Sequence, residues 1–197
     1  MIGRALFSSP GVGTADRGSS SKETSETGER EMTESLFPDA KAPDSDTREL
    51  KLVRLMDAPR EKIFRAWTTP ELLKPWFCPA PWRVSHAELD VRPGGSNLIV
   101  MNGPDGEEFP NRGVYLEVVP NEKLVFTDAY TEAWVPSGKP FFTGIILLED
   151  EGGKTRYTAI ARHWSEEDRK AHEEMGFHEG WGKVAEQLED FVRQMPD

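Results

Sequence analysis

The sequence predicts an α+β fold, in which a curved antiparallel sheet of about seven strands wraps around one long C-terminal helix. Residues 83–163 form short apolar segments separated by Gly, Pro and Asn turns, which is typical of antiparallel strands. Residues 165–195 carry one apolar stripe at helical spacing. Because one helix cannot cover both faces of so large a sheet, the sheet is expected to curve around it.

Two short helices are predicted after the first strand. Residues 49–56 alternate between apolar and polar side chains, which indicates a strand. Asp57 is the predicted N-cap of the next segment, and Pro59 suits the first turn of a helix. Thr69-Pro70 begins a second short helix, which Pro75 and the proline-rich loop 76–82 bring to an end.

Six further strands and one helix complete the prediction. The predicted strands are residues 83–91, 97–101, 113–119, 124–130, 142–148 and 155–163. A longer loop is expected between residues 130 and 142. Ser165 begins a pattern like a capping box, so the helix should start there and run to about Met195.

Composition limits the possible functions. The 197 residues carry a net charge of −11 and are 37% hydrophobic, so a packed core is expected. The charge is −4 over residues 1–46, −1 over 47–164 and −6 over 165–197. An acidic chain is a poor match for nucleic acid or an anionic membrane. No apolar run reaches the ~20 residues of a membrane span, so we expect a cytoplasmic protein without membrane insertion.

The chain divides into two predicted regions. Residues 1–46 are rich in Ser, Thr, Gly, Glu and Asp, and such a composition cannot offset the entropy of ordering. We therefore expect a disordered polar tail over 1–46 and a single folded domain over 47–197.

Four blocks of sequence resemble a known family. They are Asp57-Ala-Pro-Arg60 with Phe64-Arg-Ala-Trp67, Arg92-Pro-Gly-Gly95, Gly103-Pro-Asp-Gly106 with Leu124-Val-Phe-Thr127, and Gly176-Phe177 with Glu179-Gly-Trp-Gly182. This order resembles the bacterial family related to the C-terminal domain of the activator of the ninety-kilodalton heat-shock protein ATPase. That family lies within the START and birch-pollen-allergen-like (SRPBCC) superfamily. The resemblance covers about residues 47–195 and implies a helix-grip fold with an internal cavity.

Catalytic and metal sites receive little support from the sequence. His172 and His178 are six residues apart, which places them on different faces of one helix, so no metal site is expected. Cys78 has no base beside it in sequence and is interpreted as structural. Glu117 would act as an acid only if it faced an apolar cavity, and the alternation of residues 113–119 leaves its orientation open. No cofactor is expected.

Aromatic side chains are the best candidates for a ligand site. On one face of residues 155–163, Ala159 and Ala161 would leave room opposite the helix if that face points inward. Gly176, Gly180 and Gly182 interrupt the helix, which suggests close backbone packing or space for a ligand. The candidate ligand-binding residues are Trp76, Phe77, Trp82, Met101, Tyr130, Trp134, Tyr157, His163, Phe177, His178 and Trp181.

Three functions follow as hypotheses. The first is a protein that binds a hydrophobic small molecule between sheet and helix. The second is an enzyme, of the cyclase or hydrolase kind, that uses the same cavity through Glu117 and His163. The third, implied by the resemblance, is a chaperone-cofactor module linked to the stress response, with a chaperone or a second copy of itself as partner.

Overall fold

The computed structural model describes residues 45–196 and has the α+β fold that the sequence predicts. The chain starts with a 3-10 turn, Ser45–Arg48. The elements that follow, numbered in chain order, are β1 (Glu49–Met56), α1 (Arg60–Thr68), α2 (Pro70–Leu73), β2 (Arg83–Leu89), β3 (Ser96–Asn102), β4 (Glu108–Val119), β5 (Lys123–Thr127), β6 (Tyr130–Glu132), β7 (Val135–Pro136), β8 (Phe142–Glu151), β9 (Lys154–His163), α3 (Glu166–Glu174) and α4 (Phe177–Gln194). A polar tail is predicted over residues 1–46, and residues 1–44 of it lie outside the described residues.

The seven-stranded antiparallel sheet is confirmed. Its strand order is β1-β9-β8-β5-β4-β3-β2, so β1 and β2 form the two edges. β6 and β7 pair with each other in a separate ribbon, where the sequence predicted a loop. Most neighbouring strands in the sheet are joined by short hairpin connections. β9 returns to pair with β1, which brings the two ends of the domain together.

A bulge in β4 decides which side chains of that strand face the core. The pairing with β5 shifts register between Tyr115 and Glu117, so Leu116 is the extra residue. Tyr115 is buried, whereas the side chain of Glu117 is 48% exposed and its Oε2 lies 2.8 Å from Nζ of Lys123. The sequence left this orientation open because simple alternation fails at a bulge.

The start of α1 differs from the prediction. Pro59, not Asp57, is the N-cap, and no side chain in the described part of the chain caps the helix. The Asp57 backbone N–H instead donates to Oε1 of Glu189, and its carboxylate lies 3.3 Å from Nζ of Lys154. Asp57 therefore joins the first strand to the C-terminal helix, a long-range role that local capping rules do not detect.

The predicted C-terminal helix is two helices. Ser165 caps the first, as expected, because its Oγ accepts from the Asp168 N–H at 3.0 Å. The break falls at Gly176, whose φ of +88° lies in the left-handed region that favours glycine. Close packing among the described residues does not explain Gly180 or Gly182, since a Cβ at either position would meet none of their atoms within 4 Å.

The core lies between the sheet and α4. One face of β9, whose orientation the sequence left open, points inward, and all of its side chains are buried: Thr155, Tyr157, Ala159, Ala161 and His163. The apolar stripe of α4 faces them with Phe177, Trp181, Val184, Leu188 and Val192. None of the described helices is both long and apolar enough to cross a membrane.

Candidate ligand-binding cavity

A small apolar cavity lies between the sheet and the helices. Its volume is about 40 Å³. The helices and the loop after α2 form one wall, and strands β3, β4, β5, β8 and β9 form the other. The lining residues are Trp67, Leu73, Phe77, Asn97, Ile99, Tyr115, Phe126, Phe142, Tyr157, Trp181 and Val184.

A missing side chain on β8 makes room for one wall residue. Gly144 pairs with Phe126 across β5 and β8. A Cβ at Gly144 would lie 2.5 Å from the Phe126 ring. Only glycine therefore allows this ring to lie across the neighbouring strand and reach the cavity.

The opposite wall is an aromatic cluster attached to α4. Trp67 lies 4.9 Å from Trp76 and 5.9 Å from Phe77, measured between ring centroids. Gln187 on α4 fixes the loop on both sides of Phe77, because its Nε2 donates to the carbonyl oxygens of Trp76 at 2.9 Å and Cys78 at 3.0 Å. Phe77 thus belongs to an irregular loop that two hydrogen bonds hold against the helix.

The polar side chains in the lining stay uncharged. Burial raises the pKa of Tyr157, and the neighbouring Trp67 indole opposes this rise. Burial raises the pKa of Tyr115, and the negative charge of Asp90 raises it further by a smaller amount. Asn97 supplies an amide. The polar residues of the lining are therefore two tyrosines and an asparagine, and none of them is ionised at neutral pH.

Two buried histidines lie behind the cavity wall. His163 Nε2 and His172 Nδ1 are 2.9 Å apart, and His163 Nδ1 is 3.0 Å from the Arg48 carbonyl oxygen. Since a carbonyl only accepts, His163 donates from Nδ1, and its Nε2 then accepts from His172 Nδ1–H. Within residues 45–196, His172 Nε2 is left as a buried acceptor without a partner.

Aromatic rings surround this pair and keep it neutral. His172 lies within ring contact of four aromatic side chains, Phe141, Phe142, Phe177 and Trp181. Burial lowers the pKa of His172 to about 2, and a proton on His163 would lower it further through like-charge repulsion. Burial also lowers the pKa of His163, against the opposing influence of the Arg48 carbonyl.

The structure brings some of the predicted residues to the cavity and separates others from it. Phe77, Tyr157 and Trp181 line it. Trp76, Met101 and Phe177 are fully buried in the surrounding core. The remaining predicted residues outside the lining are Trp82, Tyr130, Trp134, His163 and His178.

Those five residues have other contacts. Trp82 packs on Phe109 at one end of the sheet, with ring centroids 5.4 Å apart. Tyr130 and Trp134 pack on each other at the β6–β7 ribbon, where Trp134 is 64% exposed. His178 is exposed and lies 3.7 Å from Glu173. His163 bonds to His172, as described above.

The residues weighed for catalysis or metal binding do not gather at the cavity. The outward orientation of Glu117 removes the Glu117–His163 pair that the enzyme hypothesis requires. Cys78 is buried, and burial raises the pKa of its thiol to about 11. Within residues 45–196, no group of three or more His, Cys, Asp or Glu side chains is arranged to hold a metal.

Sequence reasoning missed most of the lining. The missed residues are Trp67, Leu73, Asn97, Ile99, Tyr115, Phe126, Phe142 and Val184. Trp67, Leu73 and Val184 were recognisable as residues on apolar helix faces. Nothing in the sequence distinguished a residue that lines a cavity from one that fills the core. The strand residues depend on strand pairing and on the β4 bulge, which no local pattern gives.

Comparisons with known proteins agree with this architecture. A protein from Nitrosomonas europaea is 44% identical, with a TM-score of 0.73 over 75% of this chain and 96% of that one. A Mycobacterium smegmatis protein is 25% identical, with a TM-score of 0.65 over 78% of this chain and 96% of that one. An AHSA1-like protein from Aeromonas hydrophila, 15% identical, shares the fold with a TM-score of 0.56 over 74% and 92% of the two chains. A search of curated sequences finds no match.

A family model adds the decisive match. The model described as Activator of Hsp90 ATPase homolog 1-like protein matches residues 57–193. This range runs from the end of β1 to the last turn of α4, so it includes every element that lines the cavity. The chain therefore belongs to the Activator of Hsp90 ATPase homolog 1-like family.

Proposed function

We propose that the protein binds a hydrophobic small molecule in the cavity between the sheet and α4. The observation that carries this proposal is an aromatic-lined space that the surrounding side chains leave unfilled, next to a wall made by a loop. Burying apolar ligand area there would contribute roughly 25 cal/mol per Å².

Binding requires the wall to move. A volume of about 40 Å³ has room for water but is smaller than the cavity of about 150 Å³ that holds benzene in an engineered protein. Phe77 is the residue best placed to move, because its backbone belongs to neither helix nor strand. Displacement of its ring would enlarge the space without disturbing the sheet.

A fluorescence titration tests the proposal. N-phenyl-1-naphthylamine, a neutral apolar probe, should show saturable fluorescence enhancement with the wild-type protein. Val184→Phe fills the cavity and should weaken probe binding more than tenfold, with Ile99→Phe as a second filling variant. Val135→Phe is the matched control, because Val135 is exposed on the β6–β7 ribbon and should leave the affinity unchanged.

Thermal unfolding of each variant confirms that it is folded. Saturable binding that survives both filling variants would place the ligand elsewhere. No saturable binding, with native mass spectrometry of a broad panel of apolar compounds also negative, would remove the proposal.

The other two hypotheses have less support. The enzyme hypothesis has lost its acid–base pair, as described above. A chaperone cofactor needs a large apolar surface patch. The exposed apolar residues on β1, Val53 and Leu55, are separated from Leu116 on β4 by three intervening strands.

A further inference from the structure

The face of the sheet that points away from α4 carries a continuous apolar patch. Ile160 alternates on β9 with the inward-facing Ala159 and Ala161, and side chains that pair directly across antiparallel strands share a face. Two neighbouring rows of residues therefore cross β1, β9, β8, β5 and β4 on the outward face. Their apolar members, which together form the outer patch, are Val53, Ile160, Ile145, Leu147, Val125 and Val119. The solvated face of an antiparallel sheet normally carries polar side chains, so this patch points to a partner.

The two ends of the outer patch have different shapes. At the β1 end, Val53 and Leu55, which lie on the same face, are 48% and 53% exposed. At the β4 end lies an open hollow of about 440 Å³, which Val119, Lys123 and Leu147 help to line. Exposed apolar side chains at one end and a hollow bordered by apolar side chains at the other are what a surface needs if it is to bind a copy of itself.

The charges at the ends of one row have opposite signs. From β1 to β4, this row consists of Lys51, Ile160, Ile145, Val125 and Glu117. It is basic at one end, apolar in the centre and acidic at the other, and the side chain of Glu117 is 48% exposed. A row with this pattern is electrostatically complementary to itself when one copy is turned around.

A two-fold axis along β8 produces that arrangement. β1 and β4 each lie two strands from β8, so the axis places β1 of one copy opposite β4 of the other. Lys51 then faces the partner's Glu117, Val53 faces the partner's Val119 beside the hollow, and Ile145 packs on its own counterpart.

We propose that the outer patch binds a second copy of the chain and forms a symmetric dimer with its two-fold axis along β8. The distribution of charge favours this face, because residues 47–164 carry a net charge of −1 whereas residues 165–197 carry −6. Two copies that meet sheet to sheet keep their acidic C-terminal helices apart. The cavity lies on the opposite face of the sheet, so the dimer does not depend on the proposed ligand.

The dimer is expected to be weak. Ile145 and Val125 are only 9% and 8% exposed in the single chain, so contact with a second copy buries little additional apolar area there. Glu149 follows Leu147 on the same face of β8, and its counterpart in the second copy would lie close to it across the axis. Small interfaces of this kind give transient complexes, which form at micromolar concentrations and above.

Sedimentation equilibrium of the full chain tests the apolar contact. The wild type should change from monomer to dimer between about 5 µM and about 500 µM protein. Val53→Lys should weaken this association at least tenfold. Val135→Lys is the matched control, because Val135 is 46% exposed but lies on the β6–β7 ribbon, and it should leave the association unchanged.

Exchange of charges tests the two-fold arrangement. Lys51→Glu and Glu117→Lys should each weaken the dimer at least fivefold, because each change puts like charges together twice in a symmetric interface. The double variant restores opposite charges and should associate within about threefold of the wild type. Lys183→Glu on α4 and Glu88→Lys on β2 change the net charge equally outside the interface and should have no effect.

One further variant should strengthen the dimer. Glu149→Gln removes the like charges that face each other near the axis, so association should tighten about threefold. A gain of this kind cannot result from partial unfolding, and circular dichroism confirms that every variant is folded. Unchanged or weaker association of Glu149→Gln would contradict an axis along β8.

The remaining outcomes would overturn the inference. A wild type that stays monomeric over the whole concentration range would exclude the dimer. A dimer that Val53→Lys and both charge variants leave intact would have its contact elsewhere. A double variant that fails to restore association would rule out the two-fold arrangement, and the charge variants decide the question if Val53→Lys does not fold.

Discussion

The two ends of the buried space beneath α4 are packed differently. At the His163 end, a hydrogen-bonded chain runs from the Arg48 carbonyl through His163 to His172, and aromatic rings fill the space around it. At the cavity end, the side chains of Trp67 and Trp181 border volume that is left unfilled. The first arrangement is closed and supports the fold, whereas the second has room for a ligand. Burial of polar aromatic residues alone therefore does not identify a site; the unfilled volume next to them does.

The largest effect is expected at the closed end. His172→Ala should lower the free energy of unfolding by about 3 kcal/mol, because it empties a fully buried position and leaves Nε2 of His163 unpaired. Urea unfolding of the variant measures this loss. His178→Ala is the control, since an exposed substitution should change stability by less than about 0.5 kcal/mol. A loss of under 1 kcal/mol for His172→Ala would mean that the pair is not a structural element.

Acid should weaken the closed end next. The pKa values of His163 and His172 are lowered in the folded protein, and an unfolded histidine titrates near 6.5. Below about pH 6.5 the unfolded chain therefore binds more protons, so stability is full above that pH and falls as the pH drops. Each histidine lowers the free energy of unfolding by at most about 1.4 kcal/mol for each unit that the pH falls.

Urea unfolding at pH 7 and pH 5 tests this dependence. Between pH 7 and pH 5, the free energy of unfolding should fall by about 2 kcal/mol more in the wild type than in His172→Phe. The reason is that the variant has one fewer histidine whose protonation is prevented by burial in the folded protein. Equal losses in the two proteins would show that carboxylates, rather than the histidine pair, cause the acid sensitivity.

The smallest effect is expected at the open end. Gln187→Met removes the two hydrogen bonds that flank Phe77, which should cost about 1 kcal/mol and speed the entry of N-phenyl-1-naphthylamine. Stopped-flow fluorescence measures the entry rate. Lys183→Met, on an exposed position of the same helix, should change neither quantity. An unchanged entry rate for Gln187→Met would show that the loop bearing Phe77 does not control access.

The sequence predicted the fold better than it predicted the site. The seven strands, the cap at Ser165 and the grouping of Tyr157, Ala159 and Ala161 on one face of β9 follow from alternation and from turn and capping chemistry, which are local. The roles of Asp57 and Gln187 were not predictable, because their partners lie more than 100 positions away along the chain. The same limitation hid Phe126, whose place depends on the absence of a side chain at Gly144.

By itself, the sequence determined the seven strands of the sheet, the apolar stripe of the C-terminal helix, and the likeness to a family. Those properties depend on periods of two and 3.6 residues and on turn residues, all of which act between near neighbours. Only the tertiary structure decided that Tyr115 faces the core and Glu117 faces solvent, that His163 meets His172, and that Trp67 and Trp181 line one cavity. Each of those outcomes depends on strand register or on packing between distant elements, and the empty volume belongs to no residue.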